Sequence, residues 1–118
     1  MNKVEVVYSL LEKVVSELNR QAVVITLNQQ VKTKKHMSLS GANGRLWISP
    51  SQYGYDVSLS GLSLEKQLEP TLTSYFGREC DGYKQLNGNK GFKRQPFWRT
   101  DNFRDVEVVC EMYAKTGK

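Results

Sequence analysis

Between Gly82 and Thr100 the sequence places Lys84, Lys90, Lys93, Arg94 and Arg99 with no Asp or Glu among them, so this stretch alone carries +5, equal to the formal net charge of the chain. Tyr83, Phe92, Phe97 and Trp98 are interleaved with those cations. A phosphate backbone calls for positive charge at intervals, and unpaired bases call for flat side chains to stack on; this stretch offers both. Its glycines, Gly82, Gly88 and Gly91, leave backbone N–H groups open to phosphate oxygens. A second basic cluster, Lys32, Lys34, Lys35 and His36, extends the same chemistry upstream. No consensus of a known DNA- or RNA-binding module accompanies it. Phe97 and Trp98 follow Pro96 and precede a helical stretch, where aromatic residues commonly close a core. The reading therefore gives one of these two a core role and leaves Phe92 and Tyr83 as the surface rings.

Signals for catalysis are sparse. Metal-dependent nucleases commonly pair an acid with Glu-x-Lys, so that carboxylates hold the metal and the lysine orients water. No Glu-x-Lys or Asp-x-Lys occurs here, and the nearest match is Asp81-Gly82-Tyr83-Lys84 with Glu79 upstream. His36 is the sole histidine, and neighbouring Lys35 lowers its affinity for a proton. There is no Gly-x-Ser-x-Gly elbow, no Gly-x-Gly-x-x-Gly and no Walker loop. Methionine occurs only at Met1, Met37 and Met112, too scattered for an adaptable binding groove. With Cys80, Cys110 and His36 the only Cys or His residues, a structural zinc site of four such ligands is not expected, and two free thiols are. No cofactor and no metal are expected.

The elements that would position the basic stretch are legible in part. Asn2 followed by Glu5 forms a variant capping box, and Val4, Val7, Leu11, Val14, Val15 and Leu18 make one stripe on a helical period, ending near Asn19 and Arg20. Ala22 to Leu27 is short, apolar and β-branched, which favours a strand. Val31 to Leu39 partly alternates, with a break at Lys35 and His36, and Gly41-Ala42-Asn43-Gly44 signals a turn. Leu46, Trp47 and Ile48 form a strand stopped by Ser49-Pro50-Ser51-Gln52, while Tyr55, Val57 and Leu59 alternate strictly with polar residues. Helix follows over 63–76, with Leu64, Leu68 and Leu72 in step. Pro70 there predicts a division into two short helices, and Gly77 a stop. Residues 78–100 show no clean period beyond a short strand near Phe97 and Trp98. Asp101 or Asn102 then caps a last helix with Phe103, Val106, Val109, Cys110 and Tyr113 on one side. The predicted core comprises Leu11, Val14, Leu18, Leu46, Ile48, Val57, Leu59, Leu68, Leu72, Val106 and Val109.

A chain of 118 residues, 39% hydrophobic and 25% charged, suits one folded domain, 1–118, rather than a disordered polymer. No apolar run approaches the ~18 residues of a membrane-spanning helix. Glu5, Glu12 and Lys13 interrupt the N-terminal apolar positions, so a secretory leader is not expected; the location expected is cytoplasmic, or nuclear in a eukaryote. The fold class expected is α+β: an antiparallel meander of three to four strands, covered by an N-terminal helix, a middle helical segment and a C-terminal helix. A sheet followed by a basic stretch and a closing helix resembles, in layout alone, small α+β accessory domains found beside nucleases.

The function expected is non-enzymatic binding of nucleic acid, DNA or RNA. Lys84, Lys90, Lys93, Arg94 and Arg99, aided by Lys32, Lys34 and Lys35, would hold phosphates, while Tyr83, Phe92 and Trp98 would stack. An adaptor or inhibitor whose basic face docks an acidic protein is the alternative, because both partners want the same charge. A small nuclease or hydrolase using Glu79, Asp81 and Lys84 ranks behind these. No membrane partner is expected.

Overall fold

The computed structural model of the chain describes residues 3–21, 25–29, 36–41, 44–84 and 95–116. Helix α1 (Lys3–Arg20) turns Val7, Leu11, Val15 and Leu18 inward on the predicted stripe. It ends in a turn clamped by Asn19, whose side-chain oxygen accepts from the Ile25 N–H at 2.8 Å and whose amide donates to the Ile25 carbonyl at 3.0 Å. Strands β1 (Thr26–Gln29), β2 (Met37–Ser40), β3 (Arg45–Ser51) and β4 (Gly54–Ser60) follow as a meander. Helix α2 (Leu62–Phe76), strands β5 (Gly82–Lys84) and β6 (Gln95–Thr100) and helix α3 (Phe103–Ala114) complete the chain.

All neighbouring strands are antiparallel, in the order β1-β2-β3-β4-β6-β5, so β6 inserts beside β4 and leaves β5 at the edge. The α+β class and the meander stand, but among the described residues the sheet has six strands rather than three to four. Both additional strands come from residues 78–100, where the short strand expected near Phe97 and Trp98 is β6 and β5 is unforeseen. β5 is three residues long, and β6 carries a large side chain on each face, Trp98 on one and Phe97 on the other, so apolar alternation is lost. The strand expected from Ala22 begins its described pairing at Thr26, where Thr26 to Gln29 oppose Ser40 to Met37. Ala22–Val24, Val31–Lys35, the Asn2 cap and the turn residues Ala42 and Asn43 lie outside the described residues.

Two prolines behave differently from expectation. Pro50 does not end the strand: β3 runs on to Ser51, with Pro50 opposite Tyr55 beside the hairpin turn, where a missing N–H costs little. That hairpin closes at Gly54, whose φ of 130° is open to glycine alone and where a Cβ would collide with the Thr100 carbonyl of β6. Pro70 sits within one continuous α2 instead of dividing it. Both Pro70 and Lys66, whose carbonyl loses its helical partner, are exposed, so water can take the bond. Gly77 caps α2 in the left-handed conformation, and the Asn102 side chain caps α3 by accepting from Arg104 N–H at 3.0 Å.

One core lies between the three helices and one face of the sheet. Met37, Leu39, Leu46, Ile48, Val57, Leu59 and Trp98 supply the sheet side, while Leu11, Leu64, Leu68, Leu72, Val106 and Val109 supply the helices. The predicted core residues are buried except Val14, which is half-buried at its margin. Cys110 is wholly enclosed, and burial pushes its thiol up to about 12, whereas Cys80 is half-buried ahead of β5.

Truncating Leu11, which has no exposed surface, to Ala should cost about 2–5 kcal/mol in urea unfolding; a loss of a few tenths would place α1 on the wrong face. With a disulfide-exchange reagent on native protein, Cys80 should react first, and Cys110 only as fast as the core opens.

Candidate functional site

The period of two that sends Leu46, Ile48, Val57, Leu59 and Trp98 to the helices sends their neighbours to the other side. That helix-free face reads, across successive strands, Ser38, Trp47, Ser58, Phe97 and Gly82 in one row and Ser49, Asp56 and Arg99 in the next. Ser40, Arg45 and Ser60 form a third row, and Lys84 lies opposite Gln95 at the edge. Trp47 is buried, yet it stands apart from the helix-side core. Of the 12 acidic side chains, Asp56 alone is set in a strand; the others lie on helices or on the connections around them.

Asp56 organises the face. Its side chain is 2% exposed, and Arg99 grips it through two bonds, Nε to Oδ1 at 2.7 Å and Nη2 to Oδ2 at 3.0 Å. Lys84 reaches the same carboxylate from β5 and donates to Oδ2. Burial alone would raise the Asp56 pKa, but the hydrogen bonds and charges of Arg99 and Lys84 outweigh it and hold the carboxyl below its ordinary value. The same hydrogen bond raises Arg99. Both cations also lie over the Phe97 ring, Lys84 Nζ at 4.9 Å and Arg99 Cζ at 5.7 Å from its centroid. Arg99 Cζ is in addition 5.6 Å from the Tyr53 centroid, and Tyr53 is 65% exposed.

The β5–β6 pair is held at its other end by a second clamp. Arg78 donates to both Asp81 oxygens at 3.1 and 3.0 Å and to the Arg99 carbonyl at 2.7 Å, while Asp81 accepts from the Arg99 N–H at 2.7 Å. The hydrogen bonds from Arg78 lead in holding Asp81 below its ordinary value. On the same face, at the end of the row away from Arg99, the His36 Nδ1 lies 2.7 Å from the Ser49 hydroxyl. Between these anchors are polar atoms without any partner: Trp47 Nε1, Ser58 Oγ and both amide atoms of Gln95, all in buried positions.

The structure brings together only part of the predicted surface. Lys84 and Arg99 share the helix-free face with Phe97. Tyr83 is exposed but faces the opposite way, opposite Pro96, with its phenol raised by a hydrogen bond to Cys80. Trp98 is not a stacking surface: it is fully buried, stacked on Phe76 at 6.2 Å, and donates its indole N–H to the Arg78 carbonyl at 3.1 Å. Lys32, Lys34, Lys35, Lys90, Phe92, Lys93 and Arg94 lie outside the described residues. Of the residues named for the nuclease alternative, Asp81 is bound to Arg78 and Lys84 to Asp56. Among the described residues, no group of three or more His, Cys, Asp or Glu could hold a metal ion. Asp56, Tyr53, Trp47, Ser58 and Gln95 were not singled out from sequence, although serine at every second position of the middle strands marks their face.

Comparison with known proteins gives no match to a family model, to a curated protein or to a solved structure.

Because the Asp56 pKa is lowered on folding, its contribution to stability is complete above the unfolded value of about 4 and is lost as pH falls through the lower folded value. Asp56→Asn should therefore flatten the acid limb of a stability-against-pH curve and leave its alkaline limb in place. An unchanged acid limb would show that Lys84 and Arg99 do not stabilise the ionised carboxyl.

Proposed function

We propose that the protein binds an unpaired nucleic-acid strand, DNA or RNA, at the exposed part of its sheet around Arg99, Tyr53 and Lys84 and performs no chemistry on it. The observation that carries this reading is the division of charge between the two layers. Arg45, Lys84 and Arg99 occupy the strands against a single carboxylate, Asp56, and two of those cations are packed with aromatic rings. In sequence, the links between β1 and β2 and between β5 and β6 add Lys32, Lys34, Lys35, Lys90, Lys93 and Arg94 and no acid. Cations beside flat rings are what a single strand requires: counterion release supplies sequence-independent affinity and stacking holds the bases. Arg99 is 43% exposed at its side chain, so its outer edge can meet a phosphate while its inner edge stays on Asp56.

Affinity for a single-stranded oligonucleotide should fall steeply as salt rises. Lys93→Ala with Arg94→Ala should make that slope shallower by about one to two units and weaken binding to all sequences alike. Tyr53→Ala should cost about 1–3 kcal/mol on single strands and much less on duplex. Absence of oligonucleotide binding at low salt, with capture of an acidic protein lost in the same Lys93 and Arg94 variant, would turn the reading to protein docking.

A further inference from the structure

Resting on that reading, we infer that Asp56 is a positioning residue: it aims the outer edge of the Arg99 guanidinium at a phosphate of the strand, beside the Tyr53 ring that takes the base of the same nucleotide. A guanidinium carries five N–H donors in one rigid plane. Asp56 accepts two of them, from Nε and Nη2, through both of its oxygens, and so occupies one edge of that plane. The remaining hydrogens of Nη1 and Nη2 form the adjoining edge, and among the described residues no acceptor is bonded to Nη1. Arg99 is 43% exposed at its side chain while the carboxylate it grips is 2% exposed, so its open surface lies away from Asp56. Two parallel N–H groups presented in this way match two oxygens of a phosphate.

The rest of the seat is fixed as well. Asp81 accepts from the Arg99 N–H at 2.7 Å, and Arg78 donates to the Arg99 carbonyl at 2.7 Å. Tyr53 is held through its turn, where its N–H donates to Ser51 Oγ at 3.1 Å and Lys3 of α1 donates to the Ser51 and Gly54 carbonyls at 2.5 and 3.3 Å. A free surface lysine must give up rotamer freedom to meet a phosphate, whereas this arginine has already done so within the fold. Lys84 also donates to Asp56 Oδ2, so the two cations exceed the carboxylate by one charge, and Asp56 keeps a partner when Arg99 leans outward.

Charge and geometry give Asp56 opposite effects on binding. As a bare negative charge beside a polyanion it would oppose capture, and its removal would tighten binding. As the residue that aims Arg99 it favours capture, and its removal weakens binding despite the gain in net charge, because the released side chain no longer presents its two donors in one direction.

The test measures affinity for a dT homopolymer of fixed length at fixed low salt in wild type, Asp56→Asn, Arg99→Lys and the double variant. Asp56→Asn should bind roughly ten-fold more weakly than wild type. Arg99→Lys keeps the charge and can still pair with Asp56 but has no fork, so it should lose a similar factor with an unchanged salt slope. In the Arg99→Lys background Asp56→Asn should bring no further loss, because nothing remains for it to aim; a loss caused by general damage to the sheet would persist there. Wild-type or tighter affinity in Asp56→Asn, or a loss that persists alongside Arg99→Lys, would overturn the positioning role while leaving strand binding intact. Should Asp56→Asn fail to fold, Arg99→Lys decides alone, and wild-type affinity in that variant overturns the inference. Failure of the wild type to bind dT at low salt would overturn both.

Discussion

A carboxylate that is 2% exposed and ionised must be matched by cations, and at Asp56 that requirement ties the edge of the sheet to its middle. Arg99 satisfies it from the adjacent strand and Lys84 from the strand beyond, so the two final strands are drawn onto β4 by charge as well as by backbone pairing. Few other contacts could hold β5. It has three residues, and its connection to α2 is fixed mainly by Arg78 and Asp81. Removing the carboxylate would leave two cations beside one another on Phe97, although both retain enough exposure for water to take part of the cost.

That constraint also explains which parts of the fold were legible from sequence. Elements with one polar face announced themselves: the α1 stripe through Leu11 and Leu18, the strict alternation of Tyr55, Val57 and Leu59 with polar residues, and the capped α3 all stand as expected. β5 did not, and β6 showed only as a short strand near Phe97 and Trp98, because their partnership is encoded by an ion triad across 43 positions of sequence and not by a local pattern. Pro70 misled for a related reason, since its penalty depends on whether the orphaned carbonyl meets water, which only tertiary placement decides.

The candidate site was legible as charge and hidden as geometry. Counting cations finds Lys84 and Arg99, but it cannot reveal that they are already half spent on Asp56. Trp98 and Phe97 are adjacent in sequence and of similar type, yet the period of two sends one into the core against Phe76 and the other beneath two cations. Tyr53 owes its place under Arg99 to the hairpin turn at Gly54, and nothing in its own neighbourhood marks it as a ring on that face. Residues such as Ser58 and Gln95 gain significance only from what does not bond to them.

The layering of charge has a consequence that no single contact carries. Helices α1, α2 and α3 gather most of the acids, Glu17, Glu107 and Glu111 among them lining an open cleft between α1 and α3. Among the described residues the strands hold three cations and one acid. A molecule with opposite charge on its two layers turns one of them toward an approaching polyanion before contact, and repels it from the other. Salt acts on that orientation within about a Debye length, roughly 8–10 Å at physiological strength, while the Asp56 carboxylate, being buried, is screened less. On the proposed reading, moderate salt should therefore weaken capture of a polyanion well before it disturbs the sheet. The layered charge acts in solution and the buried triad within the fold, so the same arginine, Arg99, can serve both with its two edges.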